Sequence, residues 1–147
     1  MKRLLAQLSA AVAIVALAGA TATAAPGAIR ITKIYYDSPG ADTGNNSSLN
    51  AEWIRLKNTG SRARYLTGWR IRDAAGHVYK FGTFRLRAGY SVKVHTGSGS
   101  NTATNRYWGS SGYIWNNDKD TATLKNASGV VIDRCSYNST AVDYKVC

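Results

Sequence analysis

The chain has 147 residues, with 19 Lys and Arg against 8 Asp and Glu, a net charge of +11 and a hydrophobic fraction of 44%. Such a length fits a targeting segment and one ordinary domain, and the positive balance favours polyanions or anionic surfaces as partners while disfavouring basic ones. Two cysteines and two histidines are too few for zinc centres built from Cys and His clusters.

Lys2 and Arg3 form a positive start, residues 4–20 run almost without charge, and Ala22-Thr23-Ala24 supplies the small residues a signal peptidase needs. Cleavage is expected after Ala24 or Ala25, which makes residues 1–24 a signal peptide and residues 25–147 a secreted, extracellular domain. A spanning helix requires about 20 consistently apolar residues, and Gln7 and Ser9 interrupt this one. No integral membrane span is expected after signal removal. Without Lys2 and Arg3, seventeen basic side chains face eight acidic ones, a net +9 over 123 residues. Charge of that size also serves solubility and by itself names no partner.

Beyond the signal the apolar period is two. Residues 29–34 begin a strand, and residues 52–57 alternate cleanly before the turn Asn58-Thr59-Gly60. Residues 69–72 alternate again up to a turn at 73–76, and 77–81 return. Segments 84–86, 90–94, 121–124 and 130–133 complete the set. Short β-branched and aromatic runs punctuated by Gly and Asn turns predict an all-β sandwich or barrel, and no window carries a helical stripe. Alternation places Trp69 and Ile71 in the core with Arg70 and Arg72 outside. Ile54, Leu56, Leu86, Val92, Val94, Leu124 and Ile132 join that core, whereas Trp53 shares the outward parity of Arg55 and Lys57. Segments 38–50 and 96–112 lack periodicity and read as long surface loops, either a site or simply mobile.

Cys135 and Cys147, separated by eleven residues near the C-terminus, read as one structural disulfide in an oxidising compartment that pins the chain end. Catalysis requires a positioned acid, base or nucleophile with a partner. His77 and His95 belong to no triad or HxxxH spacing, and no GxSxG is present. Residues 116–121 gather oxygen ligands of the kind calcium takes, but the Gly and distal Glu of an EF-hand loop are missing. The segment reads better as a turn whose Asn and Asp bond their own backbone. Neither a metal site nor a cofactor is expected.

The basic residues form the most informative pattern. Arg55/Lys57, Arg70/Arg72 and Arg85/Arg87 are i, i+2 pairs, each on one face of its strand, and Lys93 extends the series. If those strands are neighbours they make a basic stripe. Arg106, beside Tyr107 and Trp108, adds the combination of guanidinium and ring that suits phosphate contact with stacking. The alternative is an ordinary solvated sheet face.

The succession of residues 52–60 (EWIRLKNTG) and 66–73 (LTGWRIRD), continued through Tyr79-Lys80-Phe81, Leu86-Arg87-Ala88-Gly89, Trp115-Asn116-Asn117 and residues 129–133, resembles the lamin tail domain family across about residues 28–137. The resemblance implies an immunoglobulin-like β-sandwich without a common active site. In nuclear lamins that fold is an interaction surface, and secreted bacterial relatives stand alone or are appended to hydrolases and nucleases. Arg55 departs from the pattern, standing where relatives often carry a second acid, and an acid-dependent contact there is not carried over. The expected function is a non-catalytic module for an anionic partner: nucleic acid, a phosphate-rich wall polymer or lipid head groups. A structural or protein-interaction domain with incidental charge, and an accessory domain working with a secreted hydrolase or nuclease, are the alternatives.

Overall fold

Residues 27–147 are described by a computed structural model; the expected signal peptide and its cleavage site lie outside them. Alternating burial along short strands builds two main sheets. The first has five strands in the order β11-β1-β2-β7-β8, formed by β1 (Ile29–Tyr35), β2 (Trp53–Asn58), β7 (Ser91–His95), β8 (Asn105–Tyr107) and β11 (Tyr144–Val146). The second has four in the order β10-β9-β4-β5, formed by β4 (Arg70–Arg72), β5 (Val78–Lys80), β9 (Lys119–Lys125) and β10 (Val131–Asn138). A two-stranded flap pairs β3 (Arg64–Tyr65) with β6 (Arg85–Leu86). All pairings are antiparallel except β7 with β8.

The apolar positions of both sheets meet in one core. Ile54, Leu56, Ile71, Leu86, Val92, Val94 and Leu124 are all buried there, as alternation predicts. Trp69 and Ile132 are only partly buried and pack against its margin. Trp69 stands in the turn ahead of β4, its N–H bonded to the Leu66 carbonyl and its own carbonyl to Phe81 N–H, so it occupies no inward ladder position. Trp115 is the fully buried tryptophan, 1% exposed.

The two segments read as irregular loops hold regular structure. Segment 38–50 contains most of a short helix, α1 (Asn46–Ala51), whose N-cap Asn45 accepts a hydrogen bond from Ser48 N–H. Segment 96–112 contains β8. The two are joined: Asn46 and Asn50 both donate to the Ser98 carbonyl, at 3.0 and 2.9 Å, and Ser98 N–H donates to Asn46 Oδ1 at 2.7 Å. Gly97 permits that approach, since a Cβ there would lie 2.5 Å from Asn46 Oδ1.

Cys135 on β10 is bonded to Cys147, with 5.9 Å between the Cα atoms. Because Cys147 follows β11 and its N–H bonds the Thr32 carbonyl of β1, the bridge ties the C-terminal edge of one sheet to the other.

A cationic and aromatic sheet face as candidate binding site

In a sandwich the side chains that alternate away from the core form two opposed outer faces. On the five-stranded sheet, register aligns these positions into rows running across the strands. One row is Tyr144, Tyr35, Trp53, His95 and Tyr107, a ring on each of the five strands. The next row places Lys33, Arg55 and Lys93 side by side on β1, β2 and β7. Beyond it Arg30 stands opposite Lys57. None of the outward positions on these strands is acidic.

A bulge creates half of this pattern. The pairing of β1 with β2 shifts between Ile31 and Lys33, so Ile29, Ile31 and Ile34 all point inward while Lys33 and Tyr35 turn outward. Simple alternation from Ile29 would have buried Lys33 and exposed Ile34.

Rings and cations order one another. Tyr35 stacks on Trp53 with centroids 5.6 Å apart and on Tyr144 at 6.0 Å, and His95 stacks on Tyr107 at 5.2 Å. Lys33 Nζ lies 3.5 Å from the Tyr144 ring centroid and Lys93 Nζ 4.2 Å from that of Trp53, attractions of about 0.5–1 kcal/mol at exposed sites. Arg55 Nε donates to Thr32 Oγ1 at 2.8 Å. His95 is fixed through both ring nitrogens, to the Asn50 carbonyl at 2.7 Å and Asn105 Oδ1 at 2.9 Å.

The remaining basic residues are distributed elsewhere. Arg70 and Arg72 belong to the four-stranded sheet, so they face away from Arg55 and Lys57 and the four make no single stripe. Register there forms the row Lys80, Arg70 and Lys125, with Arg72 and Arg134 on the neighbouring row. Arg85 and Arg87 are exposed on the flap and the turn after it, near two exposed tyrosines: Arg85 lies 6.0 Å from the Tyr65 ring and Arg87 5.9 Å from Tyr90. Arg106 does not accompany Tyr107 outward. It opposes the buried Val94, and its guanidinium stacks 4.1 Å from the Phe84 ring on the inner side, with its Nε lacking a partner.

Most acids are segregated from these rows; the exception is Asp133, whose carboxylate accepts Arg30 Nη1 at 3.4 Å and Ile31 N–H at 2.9 Å. Residues 53–117 carry eleven Lys and Arg and a single acid, Asp73. Asp73 is buried, and its carboxylate accepts Gly76 N–H, His77 N–H and His77 Nδ1, each within 2.7 Å. Asp120 is buried too and accepts N–H groups of Ala74, Asn116 and Thr121, so segment 116–121 is a self-bonded turn. Asp37 and Asp42 gather at one end, where Asn117 Nδ2 reaches both. Burial, then the charges of Asp143 and Asp42, hold the Asp37 carboxyl above its usual range. Burial and then Asp143 likewise raise the Tyr35 phenol, so the aromatic row is acidic at its β11 end and basic in its middle.

Sequence reading missed one buried acid. Glu52, fully buried at the start of β2, accepts Thr96 Oγ1, Ile114 N–H and Trp115 N–H on Oε1, while Oε2 has no partner. Burial pushes its carboxyl up to about 7, although the three hydrogen bonds oppose the rise. Its role is to hold the segment carrying Trp115 beneath the five-stranded sheet. Both histidine rings are likewise engaged within the fold, His77 by Asp73 and His95 by Asn50 and Asn105, and no group of three or more His, Cys, Asp or Glu side chains able to hold a metal occurs among the described residues.

Two packed, mostly antiparallel sheets, with 40% strand and 5% helix over the described residues, define an immunoglobulin-like β-sandwich. The Lamin Tail Domain family model matches residues 22–139, and the chain belongs to that family, whose immunoglobulin-like domain is generally non-catalytic. No curated protein matches the chain.

Proposed function

We propose that this chain is a secreted, non-catalytic binding module that takes an anionic polymer on the outer face of its five-stranded sheet. The observation that carries the reading is the row Lys33, Arg55 and Lys93, three cations on adjacent strands about 5 Å apart, on strands that carry no acid of their own. Repulsion among three cations so close costs free energy in water, and a chain of phosphates, sulfates or carboxylates would relieve it. Burial of Glu52, Asp73 and Asp120 keeps their carboxylates out of direct contact with an approaching polymer. Secretion is supported by the N-terminal pattern and agrees with a disulfide between Cys135 and Cys147.

Counterion release fixes the test. A polyanion bound through Z charge contacts shows log K falling linearly with log salt, with a slope of about −0.9Z for B-DNA. Binding of the purified protein to heparin and to duplex DNA, measured between 50 and 200 mM salt as order-of-magnitude conditions, is expected to weaken steeply. Absence of binding to either polymer at the lower salt would leave the family's protein-interaction role as the better reading.

A further inference from the structure

The polyanion reading leaves the aromatic row without a purpose, because phosphate contact requires only the cations. The row is continuous across all five strands, about 19 Å at the usual strand spacing, and it lies one step in register from Lys33, Arg55 and Lys93. Nothing comparable exists on the opposite face, where Lys80, Arg70 and Lys125 form an equivalent cationic row with no ring beside it.

Resting on the polyanion reading, we propose that the ligand of the five-stranded face is a single-stranded nucleic acid whose phosphates follow Lys33, Arg55 and Lys93 while its bases meet the rings, centred on Trp53. Three features select this class. A duplex buries its base faces, so it would gain nothing from the rings and would be served equally by the opposite row. A neutral glycan needs acceptors as well as donors for its hydroxyls, and the outward positions carry no carboxylate; Thr32 Oγ1 and Asn105 Oδ1 are already engaged by Arg55 and His95. Third, the ammonium groups of Lys33 and Lys93 rest on the faces of Tyr144 and Trp53. A phosphate offers each lysine a stronger charge-assisted hydrogen bond, and the lysine's departure uncovers a ring face for a base. The Asp143 charge beside Tyr35 repels phosphate from the β11 end, which directs the strand toward β2, β7 and β8.

The experiment compares three labelled probes at equal salt: a 15-nucleotide oligothymidylate, a 15-base-pair duplex and heparin. The unmodified protein is expected to bind the oligothymidylate roughly tenfold more tightly than the duplex, the scale expected of stacking one base on an aromatic ring. Tyr35→Leu with Trp53→Leu should erase that preference and leave duplex and heparin binding within about twofold, whereas Trp53→Phe, which keeps a ring, should retain most of it. The Phe variant also serves if the double variant fails to fold, since loss of the preference with Trp53→Phe in a protein with an unchanged melting profile counts against stacking. Equal affinity of the unmodified protein for single strand and duplex overturns the inference but leaves the polyanion reading standing. Failure of all three probes to bind at low salt overturns both.

Discussion

The two outer faces of this sandwich carry similar charge and differ in everything that would organise a ligand. Each has a row of three cations on adjacent strands: Lys33, Arg55 and Lys93 on one side, Lys80, Arg70 and Lys125 on the other. Only the first is bordered by five rings, and only there do ring faces and a threonine hydroxyl hold the cations in place. On the second, the neighbouring outward positions are Thr123, Thr121 and Val78, and Arg72 lies over the turn at Gly76, within 3.3 Å of where a Cβ would stand. The contrast shows that a basic surface and a basic site are different things. Net charge attracts from a distance and is shared by both faces, whereas an ordered row beside rings is a property of one.

Substitutions in the shared core should disable both faces together, and they bring the largest effects. Trp115→Ala removes a fully buried ring and should cost about 3–5 kcal/mol in urea unfolding. Trp53→Ala, on a partly buried ring of the outer five-stranded face, should cost about 1 kcal/mol, the order of an aromatic pair contact. Equal costs would mean that the aromatic row is structural and that the two faces do not differ in the way described.

Opening the disulfide should loosen the faces relative to one another, because it joins the β11 edge of one sheet to β10 of the other. Replacing both cysteines by serine should cost about 3 kcal/mol, the loop-closure value for so short a loop. It should also raise amide exchange first in β11, next to Tyr144. Uniform exchange across both sheets would show that the bridge does not act on that edge.

Glu52 supplies a pH-dependent difference specific to the five-stranded side. Its carboxyl titrates at about 7 in the folded protein against an ordinary 4.5, so between those values the folded state binds more protons than the unfolded one. The stabilisation is therefore fully present below about pH 4.5 and is lost as pH rises through 7, a change of about 3 kcal/mol. Glu52→Gln should flatten this dependence and leave the protein more stable than the parent at pH 8. A parent whose stability instead rises from pH 5 to 8 by an amount that the Gln variant abolishes would contradict the assignment. The smallest changes in stability belong to the faces themselves, where Lys→Gln or Arg→Gln should each stay within about 0.5 kcal/mol.

Much of the fold was legible because alternation in residues 52–57, 69–72 and 90–94 is the direct imprint of a half-buried strand. The buried Ile54, Leu56, Ile71, Val92 and Val94 follow from it. Placement of the site was not legible, for three physical reasons. The pairs Arg55/Lys57 and Arg70/Arg72 look alike in sequence, and only long-range pairing assigns them to opposite sheets. Lys33 and Tyr35 reach the face through a bulge, an irregularity that reverses the phase alternation predicts. Arg106 and Tyr107 sit in a segment without periodicity, yet they lie on the strand β8, which separates them to opposite sides of the sheet. The burial of Trp115 is not legible because it depends on Glu52 and on no periodic element of its own; a lone acid opening an apolar strand is the available signal.

The most direct test is a comparison of two charge-matched variants, K33Q/R55Q/K93Q and R70Q/K80Q/K125Q, with affinity for the oligothymidylate measured across a salt series. Each loses three positive charges, so any effect of net charge alone is the same in both. The first variant should lose affinity by roughly tenfold or more at low salt, and its salt slope should shrink by about 2–3 contacts. The second should change affinity by no more than about threefold and keep the parent slope. Equal losses in affinity and slope for the two variants would contradict this, since attraction would then belong to the whole molecule and not to the five-stranded face.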